Sequence, residues 1–180
     1  MKKTCLRVGR YGLALLLLVP CACAFPLHAG TLAFKAAVNY ATGSGTFPGS
    51  VAIADVNGDG KPDLATANEH SNTVSVLLGN GNGTFQNQVA YATGDTPFSV
   101  AIADVNRDGK PDLATTNANS NTVSVLLGNG NGIFQTEVAY ATGTAPNSVV
   151  IADVNRDGKP DLATANPTSN TVSVLLNGAP

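Results

Sequence analysis

Beyond residue 30 the chain is written in short apolar runs separated by Gly, Asn, Asp and Pro. Four runs make a unit, clearest from Ser99 onward: Ser99–Ala103 (strand A), Leu113–Thr116 (strand B), Thr122–Leu127 (strand C) and Phe134–Thr142 (strand D, carrying Val138 and Tyr140). Each is short, rich in β-branched residues and bounded by turn formers, as strands are. Asn117–Asn121 links B to C, and the glycine-rich Gly128-Asn129-Gly130-Asn131-Gly132 links C to D as a hairpin turn. No helical period appears after residue 24.

Strands A and C are apolar on nearly both faces, whereas a sheet with one wet face alternates cleanly. The unit also recurs at a fixed step of 49 residues, its Asp-rich loop starting at 55, 104 and 153. Four short strands per unit, covered on both sides and repeated at a strict period, predict small sheets stacked face to face, as in a β-propeller. A sandwich of irregular strands is the alternative. The expected fold class is therefore all-β, a propeller-type array of three four-stranded blades over residues 31–180. The array is cut out of phase. Strand D copies stand at Phe34–Thr42, Phe85–Thr93 and Phe134–Thr142, so the first precedes any A–B–C unit and the last unit, Ser148–Leu176, has none of its own. Closed propellers have about four to eight blades, so three predict a partial propeller, completed by another copy or cut from a longer reading frame.

Between strands A and B runs Asp55-Val56-Asn57-Gly58-Asp59-Gly60-Lys61-Pro62-Asp63, repeated at 104–112 and 153–161. Oxygen-bearing side chains fall at positions 1, 3, 5 and 9, with glycine at 6. Alternate residues point inward and glycine permits the sharp turn, so the spacing wraps a hard cation in oxygens. The predicted ligands are Asp55, Asn57, Asp59, Asp63 and the carbonyl of Lys61. In the second copy they are Asp104, Asn106, Asp108, Asp112 and Lys110, and in the third Asp153, Asn155, Asp157, Asp161 and Lys159. No His or Cys belongs to the set, which argues against zinc or copper. The loop resembles the first nine positions of an EF-hand, but position 12 is Thr66, Thr115 or Thr164 and the flanks are strands. A turn rich in Asx and Gly that binds nothing is the plainer alternative; three carboxylates within nine residues, three times over, weigh against it by mutual repulsion. One calcium ion per loop, about three in all, is the expected cofactor.

Residues 1–24 have the form of a secretory signal: Lys2, Lys3, Arg7 and Arg10, then the apolar Leu13–Val19, then Ala22-Cys23-Ala24, with cleavage after Ala29 as the alternative. The apolar run is too short to span a bilayer. Cys5, Cys21 and Cys23 all lie inside this segment, and lipid anchoring at Cys21 or Cys23 is left open. A mature chain without thiols or disulfides makes bound metal a natural staple for a small exported domain. It would keep six basic residues against twelve acidic ones, nine of them in the three loops, so the acidity is local and metal-directed. Without a basic patch, nucleic acid is not an expected partner.

Ser-Val-Ala-Ile-Ala-Asp-Val-Asn-x-Asp-Gly-Lys-Pro-Asp-Leu, present in three tandem copies, resembles the FG-GAP repeat, also called the VCBS repeat. The resemblance covers nearly all of the mature chain. It implies a blade of the kind found in integrin α-subunit propellers, with calcium in the loop between its first two strands, at the positions named above. It does not by itself imply adhesion, since one fold hosts many functions.

No catalytic constellation stands out. His28 and His70 are the only histidines, and Asp59 with Asp63, imaginable as the acid pair of a glycosidase, recurs in every unit like a scaffold feature. Variation gathers instead in two connections: Ser44–Gly49, Asp95–Phe98 and Thr144–Asn147 before strand A, and Glu69-His70, Ala118-Asn119 and Pro167-Thr168 between B and C. They should share the face opposite the acidic loops, where variable loops on a rigid scaffold carry binding. Phe47 and Phe98 are expected to pack on a neighbouring blade or to stack on a ligand. The expected function is an exported calcium-binding module for adhesion or scaffolding, with a protein or glycan ligand. The alternatives are a fragment of a larger propeller or an accessory domain of a carbohydrate-active enzyme.

Overall fold

The computed structural model of the protein describes residues 32–178. The targeting segment and its cleavage positions lie outside the described residues. The chain divides into two units, Met1–Ala37 and Val38–Pro180. Of the first, residues 32–37 are described; they form no regular secondary structure and their side chains are exposed.

The second unit holds three antiparallel sheets, with no helix among the described residues. Blade 1 consists of β1 (Pro48–Ala54), β2 (Asp63–Asn68), β3 (Thr73–Leu77) and β4 (Val89–Ala92), in that order across the sheet. Blade 2 repeats it with β5 (Pro97–Ala103), β6 (Asp112–Asn117), β7 (Thr122–Leu126) and β8 (Val138–Ala141). Blade 3 has three strands, β9 (Ser148–Ala152), β10 (Asp161–Asn166) and β11 (Thr171–Leu175). The register repeats with the sequence: Thr66 faces Ser75, Thr115 faces Ser124 and Thr164 faces Ser173. This is the all-β, propeller-type architecture that the period predicts.

Two expectations need correction. Strand D is shorter than its apolar run, because Phe85 and Phe134 lie outside it and make isolated bridges to Gly79 and Gly128. Phe34–Thr42 is not a strand: β3 already pairs with β2 and β4, and among the described residues no strand pairs with the segment.

Successive blades meet along their first strands, β1 beside β5 and β5 beside β9. Apolar side chains on the facing sheets close the gaps. Ala65, Ala67, Val74 and Val76 of blade 1 pack with Val100, Leu113 and Leu126 of blade 2. Ala114, Val123 and Val125 of blade 2 pack with Val149 and Leu162 of blade 3. This explains why strands A and C lack a polar face: in blade 2 both faces are interfaces. Buried polar residues tie the strands within each blade. The Asn117 side-chain amide donates to Thr122 Oγ1 at 2.9 Å and Ser124 Oγ at 2.7 Å, and Asn68 and Asn166 do the same in blades 1 and 3.

Candidate metal loops

Each A–B loop is shaped by its own side chains. Asp55 Oδ1 accepts from the N–H groups of Gly58 (2.7 Å) and Asp59 (3.2 Å), and Oδ2 accepts from Gly60 N–H at 2.7 Å. Asn57 Oδ1 accepts from Asp59 N–H and Asp59 Oδ1 from Lys61 N–H, at 3.0 and 2.9 Å. Those are successive Asx turns, the local reason why Asp and Asn occupy alternate positions. The second and third loops repeat them: Gly109 and Gly158 N–H bond Asp104 and Asp153 Oδ2 at 2.8 and 2.9 Å, and Lys110 and Lys159 N–H bond Asp108 and Asp157 at 2.9 Å. Gly58 and Gly60 have φ of 77° and 78°, a conformation open to glycine at little strain. At the position of Gly58 the other loops carry Arg107 and Arg156 at φ 63°, a less favoured choice.

Position 9 behaves differently. Asp63, Asp112 and Asp161 are fully or almost fully buried. Asp63 Oδ2 accepts from Val56 N–H at 2.9 Å and Oδ1 from Gly79 N–H at 2.6 Å. Asp112 bridges Val105 and Gly128 N–H, both at 2.8 Å, and Asp161 bridges Val154 and Asn177 N–H at 3.0 and 2.8 Å. One carboxylate thus latches the A–B loop to the chain leaving strand C. Sequence reasoning placed these three aspartates among the ligands and missed the latch. The recurrence of Gly79 and Gly128 two residues past strand C was its available signal, since a Cβ at either would overlap the carbonyl of Pro62 or Pro111.

Electrostatics separates the two kinds of acid. The side-chain hydrogen bond from Lys61 holds Asp59 below the usual carboxylate range, helped by Lys61 N–H. Asn155 and the Lys159 N–H do this for Asp157. At Asp108 desolvation opposes the shift, but hydrogen bonds from Lys110 N–H and Asn106 outweigh it. Burial pushes Asp112 up, against the hydrogen bonds from Gly128 and Val105 N–H. Lys61 and Lys110 pair with Asp59 and Asp108 at 3.1 and 3.5 Å; both pairs are largely in water and worth little in themselves.

Positions 1, 3 and 5 therefore gather in one loop, while position 9 lies beneath it. Among the described residues no three His, Cys, Asp or Glu side chains come together as a metal-holding group. The side-chain donors gathered at positions 1, 3 and 5 are all oxygen, the kind a hard cation takes.

A sequence-family profile described as FG-GAP-like repeat matches residues 55–115 and again 108–164. Together the two matches span more than half of the chain. The chain belongs to the FG-GAP-like repeat family. Each match begins inside an acidic loop, so the repeat is carried by the loops and the strands that follow them. No curated protein matches the chain. Among the solved structures it resembles is a chain of the Photorhabdus luminescens Tc holotoxin pore, at 21% identity and a TM-score of 0.47, over 71% of this chain and 6% of that one.

The variable connections sit together at the other end of the blades. Glu69 and His70 N–H donate to the carbonyls of Phe47 and Thr46 in blade 1, and Ala118 and Asn119 N–H to those of Thr96 and Asp95 in blade 2. Within blade 1 the Phe47 ring stacks on His70 at 4.7 Å and 15°. Phe47 and Phe98 both remain exposed, at 59% and 39%.

Proposed function

We propose that this FG-GAP-like repeat chain is an exported, calcium-binding, propeller-type module that serves as a binding or scaffold domain. The observation that carries the reading is the threefold loop. Asp55, Asn57 and Asp59, with their counterparts at 104–108 and 153–157, are held by the same Asx turns in each blade. Calcium would sit on these oxygens and on the carbonyls of Lys61, Lys110 and Lys159. It would cancel the repulsion between neighbouring carboxylates, which one lysine per loop offsets only in part. The position-9 aspartates would support the loop from below, with the lone pairs that their backbone contacts leave free. The role is stabilisation and shape; no reaction is assigned. Export follows from the residue 1–24 pattern.

Calorimetric titration of the metal-free protein with calcium tests the reading. About three ions should bind, with Kd of roughly 10⁻⁴ to 10⁻³ M, the range of extracellular calcium modules. At calcium ten-fold above Kd each site adds about 1.4 kcal/mol of stability. A melting temperature unchanged between millimolar calcium and excess chelator would sink it. For the ligand surface the reading favours the end opposite the calcium loops, where Phe47 and Phe98 are exposed among the variable connections. A glycan or protein array that captures the wild-type chain, and fails to capture Phe47→Ala, would support that surface.

A further inference from the structure

The two ends of the blade stack are halves of the interface that the stack uses internally. Val51 and its repeat mates Val100 and Val149 occupy one position; it is 59% exposed in blade 1 and 6% in blades 2 and 3. Val74, Val123 and Val172 occupy the complementary position; it is fully buried in blades 1 and 2 and 68% exposed in blade 3. Val174 is likewise half exposed where Val76 and Val125 are buried. Blade 3 thus presents the face that blades 1 and 2 present to their neighbours, and blade 1 presents the face that receives it. Ser50 and Ser99 Oγ accept from Val100 and Val149 N–H at 3.3 Å across the internal interfaces, while Ser148 in blade 3 is exposed.

The fourth strand of blade 3 has a candidate with a place already marked for it. Tyr91 of β4 reaches over blade 2, where its ring meets Phe134 at 5.4 Å and 79° and its hydroxyl donates to the Gly132 carbonyl. Tyr40, in no strand, makes the same contacts on blade 1: Phe85 at 5.1 Å and 81°, and the Gly83 carbonyl. Residues 38–42 therefore lie on blade 1 as the strand D of a preceding blade would, with no other strand of such a blade among the described residues. Tyr140 of β8 has no such aromatic partner among the described residues. Beside it is an apolar pocket of about 400 Å³, lined by Val125, Leu127, Tyr140, Leu162 and Leu175. By the repeat, the side chain that belongs there is the strand-D phenylalanine, and the chain has one more of these, Phe34, which is 88% exposed.

We propose that two copies of this chain complete each other head to tail: residues 34–41 of one copy lie along β11 of the other as its fourth strand, with Phe34 in the pocket beside Tyr140. The register follows from the two pairs already present. Val76 faces Val89, Val74 faces Tyr91 and Thr73 faces Ala92, with the same pattern between β7 and β8. Val174 would then face Val38, Val172 face Tyr40 and Thr171 face Ala41. The exchange happens twice across a two-fold axis, closes six blades into a ring within the known range, and covers the free edge of β11. Either cleavage position expected near the N-terminus leaves residues 34–41 on the chain.

Three measurements on the purified, processed chain test this. Sedimentation should give twice the chain mass at micromolar concentration; a monomer, or an open series of larger species, overturns the two-copy ring. Ala41→Cys with Thr171→Cys, in a mature chain otherwise free of cysteine, should oxidise to a covalent dimer. A bond closed within one chain, or none at all, overturns the strand exchange. Phe34→Asp and Val172→Asp alter side chains that are exposed in the single chain, so both variants should keep its circular dichroism and halve the mass. A dimer that survives both substitutions overturns the proposed faces.

Discussion

Two aspartates four residues apart in one loop illustrate what sequence spacing conveys and what it does not. The spacing D-x-N-x-D-G-K-P-D marks Asp104, Asp108 and Asp112 alike as ligands. Geometry separates them, because Asp112 spends both oxygens on Val105 and Gly128 N–H while Asp108 stays at the surface beside Lys110. Nothing in the loop itself distinguishes them; the partner Gly128 lies 16 residues on, and only folding brings it near. Asp108→Ala should remove one calcium site, leave the other two intact and lower stability mainly when calcium is present. Asp112→Ala should cost about 2–4 kcal/mol in chelator as well, since the buried Gly128 N–H and the part-buried Val105 N–H lose their acceptor. Urea denaturation of both variants with and without calcium checks the contrast; equal losses in chelator would assign the two aspartates the same role. Their titration should differ too. In metal-free protein, carboxyl carbon shifts should place Asp108 below the ordinary value of about 3.9 and Asp112 above it. A raised carboxyl contributes most to stability below its unfolded pKa and loses that contribution as pH rises through the folded value. For a lowered one the contribution is present above the unfolded pKa and fades as pH falls through the folded value. Asp112 and Asp108 therefore pull the acid limb of the stability curve in opposite directions.

Strands A, B and C were legible because each is short, apolar and bounded by turn residues, and because the period makes three readings of the same text. Strand D was harder. Its apolar run starts at Phe134, but the ladder starts at Val138; before it Phe134 makes only an isolated bridge to Gly128 of its own blade, while its ring meets Tyr91 of the preceding one. A position that packs across blades looks the same, in sequence, as one that pairs within a blade. The first copy, Phe34–Thr42, shows this most plainly: it has the strand D sequence, yet among the described residues no strand pairs with it. The turn after strand C is another element-level constraint. Gly128 stands against the Pro111 carbonyl, with its N–H on Asp112. Gly128→Ala should push that turn off the loop and cost roughly 1–3 kcal/mol, read as a lower denaturation midpoint. Gly60→Ala is strained by its φ of 78° but has open space around it, and should cost about 1 kcal/mol.

At the scale of the whole molecule the sequence is nearly one-dimensional, and each blade contacts its neighbours alone. The repeat predicts identical residues in identical places, yet position in the stack decides what each is worth. Val74, Val123 and Val172 are one residue of the repeat; the first two are fully buried between blades, and the third is 68% exposed. That difference is invisible in the strand itself, since Thr-Val-Ser-Val-Leu is the same in all three units. It arises because blade 3 has no blade beyond it among the described residues. Truncation to alanine therefore grades the stack. Val74→Ala and Val123→Ala remove two buried methyl groups and leave a gap, for a loss of about 2–3 kcal/mol each. In the single chain Val172→Ala should stay within about 0.5 kcal/mol of wild type, as surface substitutions do. Equilibrium unfolding at low protein concentration measures all three. Equal losses at 74, 123 and 172 under conditions where the chain is monomeric would mean that blade 3 is covered from within the chain, and that its last face is not an open end.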